Sequence, residues 1–264
     1  MKKGVIIAIV VALLLCGIVA VGGGAVWYFL LRSNPQKSFR EAFDEMENGD
    51  YYQYTAEGEV SATIAFPDYP EYDMDMSMNM SGEGKEDIQN DKSYSKYTQS
   101  QDGTDTTIEK YMINDKTYTS TNGSDFVEGD VSESENETFF DLLYDAAEKE
   151  QYTVLDNEDV NGESCFHYKV ELDDEQIDII SEEFTKSMVD ESSELEDLEL
   201  EIKVAELEIW ISKSNSKLVK FTTKFEDMTF DQENQGITMD VNFDINYTMN
   251  FSNWGERFDI EAPI

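Results

Sequence analysis

The sequence predicts an α+β protein: an N-terminal transmembrane helix, then a strongly curved antiparallel sheet covered by about three helices. Three observations carry that reading. Gly4 to Leu31 contains no charged residue. Several later stretches alternate apolar and polar residues, the pattern of strands with one buried face. Among them lie three stretches with helical spacing. The predicted division is a transmembrane signal-anchor over residues 1–32 and one extracytoplasmic domain over residues 33–264.

As a helix, residues 4–31 span about 42 Å at 1.5 Å per residue, ample for a hydrocarbon core of roughly 30 Å. Trp27, Tyr28 and Phe29 suit the membrane interface. The Lys2-Lys3 start also fits a secretory signal, with Ala20-Val21-Gly22 as a small-x-small cleavage site. The apolar stretch Ala25 to Leu31 beyond that site favours an uncleaved anchor instead. Leu15 before Cys16 does not make a lipidation site. Lys2 and Lys3 nearly balance Arg32, Lys37 and Arg40, and the signal-like start places the C-terminal domain outside the cell membrane, single-pass. Gly4, Ala8, Ala12, Cys16, Ala20 and Gly24 form a small-residue stripe suited to helix self-association, or simply reflect the composition of membrane helices.

Asn34-Pro35 opens a helix over 35–48, with an N-cap and Pro at the first position. Phe39, Ala42, Phe43 and Met46 share one face, and Gly49 ends it. The period then changes to two. Tyr52, Tyr54, Ala56, Gly58, Val60, Ala62, Ile64 and Phe66 form one phase of a strand, broken by Pro67 and Pro70. Met74, Met76, Met78 and Met80 continue the pattern in a second strand. Asn114-Asp115, Asn122-Gly123 and Asn161-Gly162 are turn dipeptides. Residues 137–149 and 174–190 read as amphipathic helices, the latter opened by an Asp173/Gln176 capping box. Leu198 to Val204 and Leu207 to Ile211 hold opposite phases, so a bulge or short turn is expected near Ala205-Glu206. A turn at Ser214-Asn215 leads to another strand. The last strand alternates from Met239 to Phe251 and would extend about 45 Å.

Charge excludes several functions. The chain has 58 Asp+Glu against 19 Lys+Arg, a net charge of −39. Nucleic acid is therefore not an expected partner. Two cysteines and one histidine rule out a disulfide scaffold and starve zinc sites. Cys165 and His167 share a strand face and read as ordinary sheet residues rather than a nucleophile pair. Asn157, Asp159, Asn161 and Gly162 imitate the start of a Ca²⁺ loop, but Tyr168 stands where the loop needs Glu, so a hairpin turn is expected. No cofactor, metal site or catalytic residue is expected, and the protein is read as not an enzyme.

Three stretches resemble the extracytoplasmic LolA-like and LprG-like group, including its uncharacterised Gram-positive membrane-anchored branch. They are SFREAFDEMENGDYYQYTAEGEVSATIAF, VNGESCFHYKVELDDEQI followed by LEIWISKSNSKLVKF, and NYTMNFSNWGERFDIEAP. The resemblance covers roughly residues 35–264. It implies an incomplete β-barrel closed by helices around a cavity for acyl chains or lipidated proteins. No convincing lipobox and no ligand-binding motif of that group is present.

The methionine stripe has two readings. Flexible, polarizable thioethers suit a cavity for varied apolar ligands, and equally suit gap-filling beneath helices. The ligand-cavity candidates are Met74, Met76, Met78, Met80, Met239, Phe243, Tyr247 and Met249. The function expected is membrane-anchored, extracytoplasmic binding of a lipid, acyl chain or other apolar ligand at the cell envelope, with a lipid or lipidated protein as the partner. The alternative is a non-enzymatic sensor or protein-interaction module on the same fold.

Overall fold

The computed structural model describes residues 35–114, 116–130, 149, 151–191, 200–234 and 237–263. Its strands are β1 (Tyr51–Ala65), β2 (Met74–Asp87), β3 (Lys92–Gln101), β4 (Thr104–Ile113), β5 (Lys116–Thr121) and β6 (Val127–Asp130). They continue as β7 (Tyr152–Val154), β8 (Glu158–Val160), β9 (Glu163–Val170), β10 (Val204–Ser212), β11 (Leu218–Asn234) and β12 (Ile237–Ser252). The helices are α1 (Pro35–Asn48) and α2 (Asp174–Glu191).

All 12 strands join one sheet, in the order β6-β5-β4-β3-β2-β1-β12-β11-β10-β9-β7, with β8 folded onto β9. Every pairing is antiparallel. Two meanders thus meet at the β1–β12 pair, which runs from Gln53↔Ser252 to Ala65↔Asp240. The first and last strands of the domain are its centre.

This corrects the expected architecture. Among the described residues the molecule is mostly sheet, with two helices rather than about three covering it. The reason is geometric. Eleven strands side by side span about 50 Å at 4.8 Å per step, whereas α1 has 14 residues, about 21 Å of helix. The helix expected over 137–149 and the transmembrane segment over 1–32 lie outside the described residues, and so does the small-residue stripe from Gly4 to Gly24. No helix among the described residues is long and apolar enough to cross a membrane.

The main buried cluster lies on the β9–β12 half; in β1–β6 the buried apolar side chains among the described residues are Ala56 and Ile113. Phe39 and Phe43 of α1 and Ile180 of α2 meet Tyr168, Leu207, Ile209, Ile211, Phe221, Phe225 and Met228, all buried. Phe39 sits 4.3 Å from the Tyr152 ring and 4.8 Å from the Tyr168 ring. The Tyr168 hydroxyl donates to the Pro35 carbonyl at 2.7 Å, tying β9 to the first residue of α1. Helix α2 opens on the expected capping box: Gln176 N donates to Asp173 Oδ1, and Asp173 N donates to Gln176 Oε1, both at 3.0 Å.

The phase change expected near Ala205-Glu206 is made by two strands together. In β11 the register against β12 shifts between Phe225 and Met228, and Asp227 takes the left-handed φ of 52°. Across from it, Glu201 bridges Thr229 while Val204 pairs with Glu226. Ile202 and Leu207 are therefore both buried, although strict alternation would put them on opposite faces. The bulge amide of Asp227 donates to Asp244 Oδ1 at 2.9 Å, so β12 holds the bend.

Candidate functional site

The candidate site is a trough on the apolar face of β1, β2, β3 and β12, built from glycines opposed to tyrosines. β1 pairs Tyr54 with Gly84, Ala56 with Gly82 and Gly58 with Met80. On its other side β1 pairs Gly58 with Tyr247 and Ala56 with Met249. β3 brings Tyr97 opposite Gly82. A strand glycine leaves room for a neighbouring ring to lie across the backbone. A Cβ on Gly84 would meet Tyr54 Cζ at 2.2 Å, and one on Gly58 would meet Tyr247 Cδ2 at 3.0 Å. The result is a depression of about 260 Å³ walled by Tyr54, Tyr97, Tyr247, Met80 and Gln99, with Gly82 in its floor.

Glu83 and Lys96, the latter paired with Glu109 at 3.5 Å, border the trough, while two of its phenols and a nearby acid favour their neutral forms. Burial, then the Glu86 carboxylate and the neighbouring tyrosines Tyr247 and Tyr97, raise the Tyr54 phenol well above its usual range. Burial, then Tyr97, raises Tyr247. Glu86, opposite Tyr52 in the β1–β2 pair, is pushed up to about 8 by burial and then by Asp91. Around neutral pH that carboxyl keeps its proton and can donate a hydrogen bond. The trough thus has an apolar floor and phenolic rims, with Glu83 and Lys96 at its border and an uncharged acid beyond one end.

The structure distributes the expected cavity residues unequally. Met80 and Tyr247 line the trough. Met78 lies next along β2, half-buried opposite Val60. Met76 and Met74 follow and are exposed, at 39% and 46%. Met249 is half-buried beside Ala56. Phe243 instead belongs to the core, edge-on to Phe230 at 6.2 Å. Met239 falls in β12 opposite Gln232, and its side chain lies outside the described residues. Sequence reasoning missed Tyr54, Tyr97, Gly82 and Glu86. The interior glycines at 58, 82 and 84 were the available signal, since a strand interior tolerates glycine poorly without such a cause.

Cys165 and His167 lie on the opposite face from the core. His167 stacks on Trp210 at 4.3 Å, accompanied by buried Cys165 and Val219. The His167 Nε2 lies 3.1 Å from Glu208 Oε2, and Trp210 Nε1 donates to Glu158 Oε2 at 2.6 Å. Burial, before any nearby charge, pushes the Cys165 thiol up to about 11, which disfavours thiolate. Asn161-Gly162 makes the expected β8–β9 hairpin turn, with φ of 54° and 85°. Among the described residues no group of three or more His, Cys, Asp or Glu is placed to hold a metal ion.

No protein-family model matches the sequence, and no curated protein does. Among solved structures, the chain is similar to an uncharacterized conserved protein from Thermus thermophilus, with TM-score 0.31, 8% identity, and 78% of this chain and 83% of that one covered. It is also similar to an outer membrane lipoprotein-sorting protein domain from Vibrio parahaemolyticus, with TM-score 0.24, 12% identity, and 85% and 92% covered. A third is a DUF1329 family protein from Desulfovibrio piger, with TM-score 0.23, 12% identity, and 86% and 96% covered. At these identities and TM-scores the likeness says nothing of activity.

Proposed function

We propose that the protein is a non-enzymatic binder of an acyl chain or similar apolar ligand at the cell envelope. One observation carries this reading: a methionine stripe runs from the exposed Met74 and Met76 into a tyrosine-walled trough. Removing apolar surface from water drives such binding by about 25 cal/mol per Å², and the stripe offers surface not yet removed. The trough, at about 260 Å³, lies just below the ~300–1,000 Å³ of drug-sized pockets. It suits one chain end rather than a whole lipid, with the rest lying along Met78 and Met76. The uncharged segment Gly4 to Leu31 supports tethering at a membrane, as in the membrane-anchored branch of the LolA-like group.

Native mass spectrometry of the full chain in detergent, with organic extraction of bound material, tests this. Co-purifying acyl species near one per chain are expected. A clean apo mass that fatty acids and phospholipids leave unchanged would overturn the reading and favour a protein-interaction module.

A further inference from the structure

The trough holds three hydroxyls that the fold does not use. Tyr54, Tyr97 and Tyr247 come from three strands, β1, β3 and β12. Strand register sets them around one small floor. Ala56 faces Gly82 across β1–β2, Tyr97 faces Gly82 from β3, and Tyr247 faces Gly58 from β12. No side chain larger than a methyl stands on those three floor positions, and all three rings line the same depression. The Tyr54 hydroxyl lies above Gly84, where a Cβ would collide with it. The three phenols are within electrostatic reach of one another, since Tyr247 and Tyr97 both act on Tyr54, and Tyr97 acts on Tyr247. Elsewhere tyrosine hydroxyls are taken up by the fold: Tyr168 donates to the Pro35 carbonyl and Tyr111 to Glu109 Oε1. Among the described residues, the hydroxyls of Tyr54, Tyr97 and Tyr247 have no such partner.

These donors select which part of a ligand enters, given the reading of the trough as a site for an apolar chain, on which the inference rests. A bare methyl end would set three O–H groups against hydrocarbon with their hydrogen bonds unmade. A phenol donates better than it accepts, because its lone pair is delocalised into the ring, so its natural partner is an acceptor oxygen. Gln99 adds a neutral amide N–H to the same wall. Charge argues against a carboxylate. Glu83 borders the trough, and Lys96, the one cation lining it among the described residues, is paired with Glu109 at 3.5 Å. An acyl ester carries the matching surface: acceptor oxygens, no donor and no charge, followed by a chain that can run over Met80, Met78 and Met76 along β2. We propose that the trough binds a fatty acyl ester, with the ester carbonyl held between Tyr54, Tyr97 and Tyr247 and the chain lying along the methionine stripe.

The test uses the full chain in amphipol, with methyl laurate, tridecane and laurate as probes. Partition between immobilised protein-loaded amphipol and free empty amphipol, read by chromatography, gives relative affinity. Infrared spectra of methyl laurate labelled with ¹³C at the carbonyl report its hydrogen bonding. Methyl laurate is expected to bind about tenfold or more tightly than tridecane, from two or more hydrogen bonds of ordinary net strength. It should also bind more tightly than laurate at pH 8, and its carbonyl band should move to lower frequency on binding. Tyr97→Phe and Tyr247→Phe should each weaken ester binding about two- to tenfold, the worth of one hydrogen bond, move the band back up, and leave tridecane unchanged. Each substitution removes one oxygen and keeps the ring, so either variant with unchanged circular dichroism decides the point. Ester and tridecane bound alike with an unshifted carbonyl, or laurate bound more tightly than the ester, would overturn this proposal and leave the apolar trough standing. Binding of none of the three probes would overturn the trough as a chain site, and this proposal with it.

Discussion

Glu86 is the residue whose chemistry departs furthest from its sequence context. Nothing in MSGEGKEDIQ distinguishes it from the chain's other carboxylates, yet burial on β2 raises it from 4.5 to about 8. The folded state therefore prefers the protonated acid. Its penalty is absent below pH 4.5, where folded and unfolded chains are both protonated. It grows as the pH rises, because the unfolded carboxyl ionises first, and is complete above about 8. Glu86→Gln should thus raise the melting temperature at pH 9 and leave it near the wild-type value at pH 4, in thermal melts across that range. Equal shifts at both ends would mean that Glu86 is not selectively neutral. Gly82 is constrained differently. A Cβ there would lie 2.9 Å from the Lys96 carbonyl oxygen and 3.0 Å from Tyr97 Cβ. The first is backbone and cannot swing aside, so Gly82→Ala should cost about 1–3 kcal/mol in denaturant unfolding. Gly84→Ala meets the Tyr54 ring first, which can rotate away. It should therefore cost less stability than Gly82→Ala while disturbing ligand binding in the trough more.

At the scale of elements, the shared bend in β10 and β11 separates what a strand pattern reveals from what it hides. The opposite phases of Leu200-Ile202 and Leu207-Ile211 announce a slip. They do not say that the bulge lies in the neighbouring strand, because register belongs to the pair. Asp227 holds its φ of 52° without being glycine, at about 1–2 kcal/mol for an L residue in that region. Asp227→Gly should therefore be neutral or stabilising by up to about 1 kcal/mol, since its amide still donates to Asp244. Asp227→Val should be clearly destabilising, because a β-branched side chain fits that conformation poorly. Chemical denaturation of both variants checks the order, and a valine variant as stable as the glycine one would contradict this account of the bulge. The helices over 35–48 and 174–190 were legible almost to the residue, because their signals are local: Pro35 at a start, Gly49 at an end, and a reciprocal Asp173/Gln176 pair. The trough was not legible, because it depends on which tyrosine lies opposite which glycine. That is settled by three registers at once: β1–β2 sets Tyr54 against Gly84, β2–β3 sets Tyr97 against Gly82, and β1–β12, between the two ends of the domain, sets Tyr247 against Gly58.

At the scale of the whole molecule, charge sets the conditions under which the binding face meets its target. The net charge of −39 resists compaction and repels anionic surfaces alike. Salt screens both effects, with a Debye length of about 30 Å at 0.01 M and about 3 Å at 1 M. The melting temperature should therefore rise as NaCl is raised between those limits. The apolar stripe presents a sharper case. Met74 and Met76 lie at the end of a strand that follows Asp73, with Asp75 between them, so any approach of that end of the sheet to an anionic bilayer brings carboxylates with it. Divalent cations can bridge carboxylate and phosphate where monovalent ions only screen. Flotation with phosphatidylserine vesicles should show more protein bound with Ca²⁺ than with NaCl at matched ionic strength. A Met74→Ser, Met76→Ser double variant should lose most of that gain, since bridging without apolar contact leaves only weak, exposed ion pairs. Binding that is equal with and without Ca²⁺, or indifferent to the two methionines, would separate the stripe from the membrane and leave the trough to a ligand delivered by another protein.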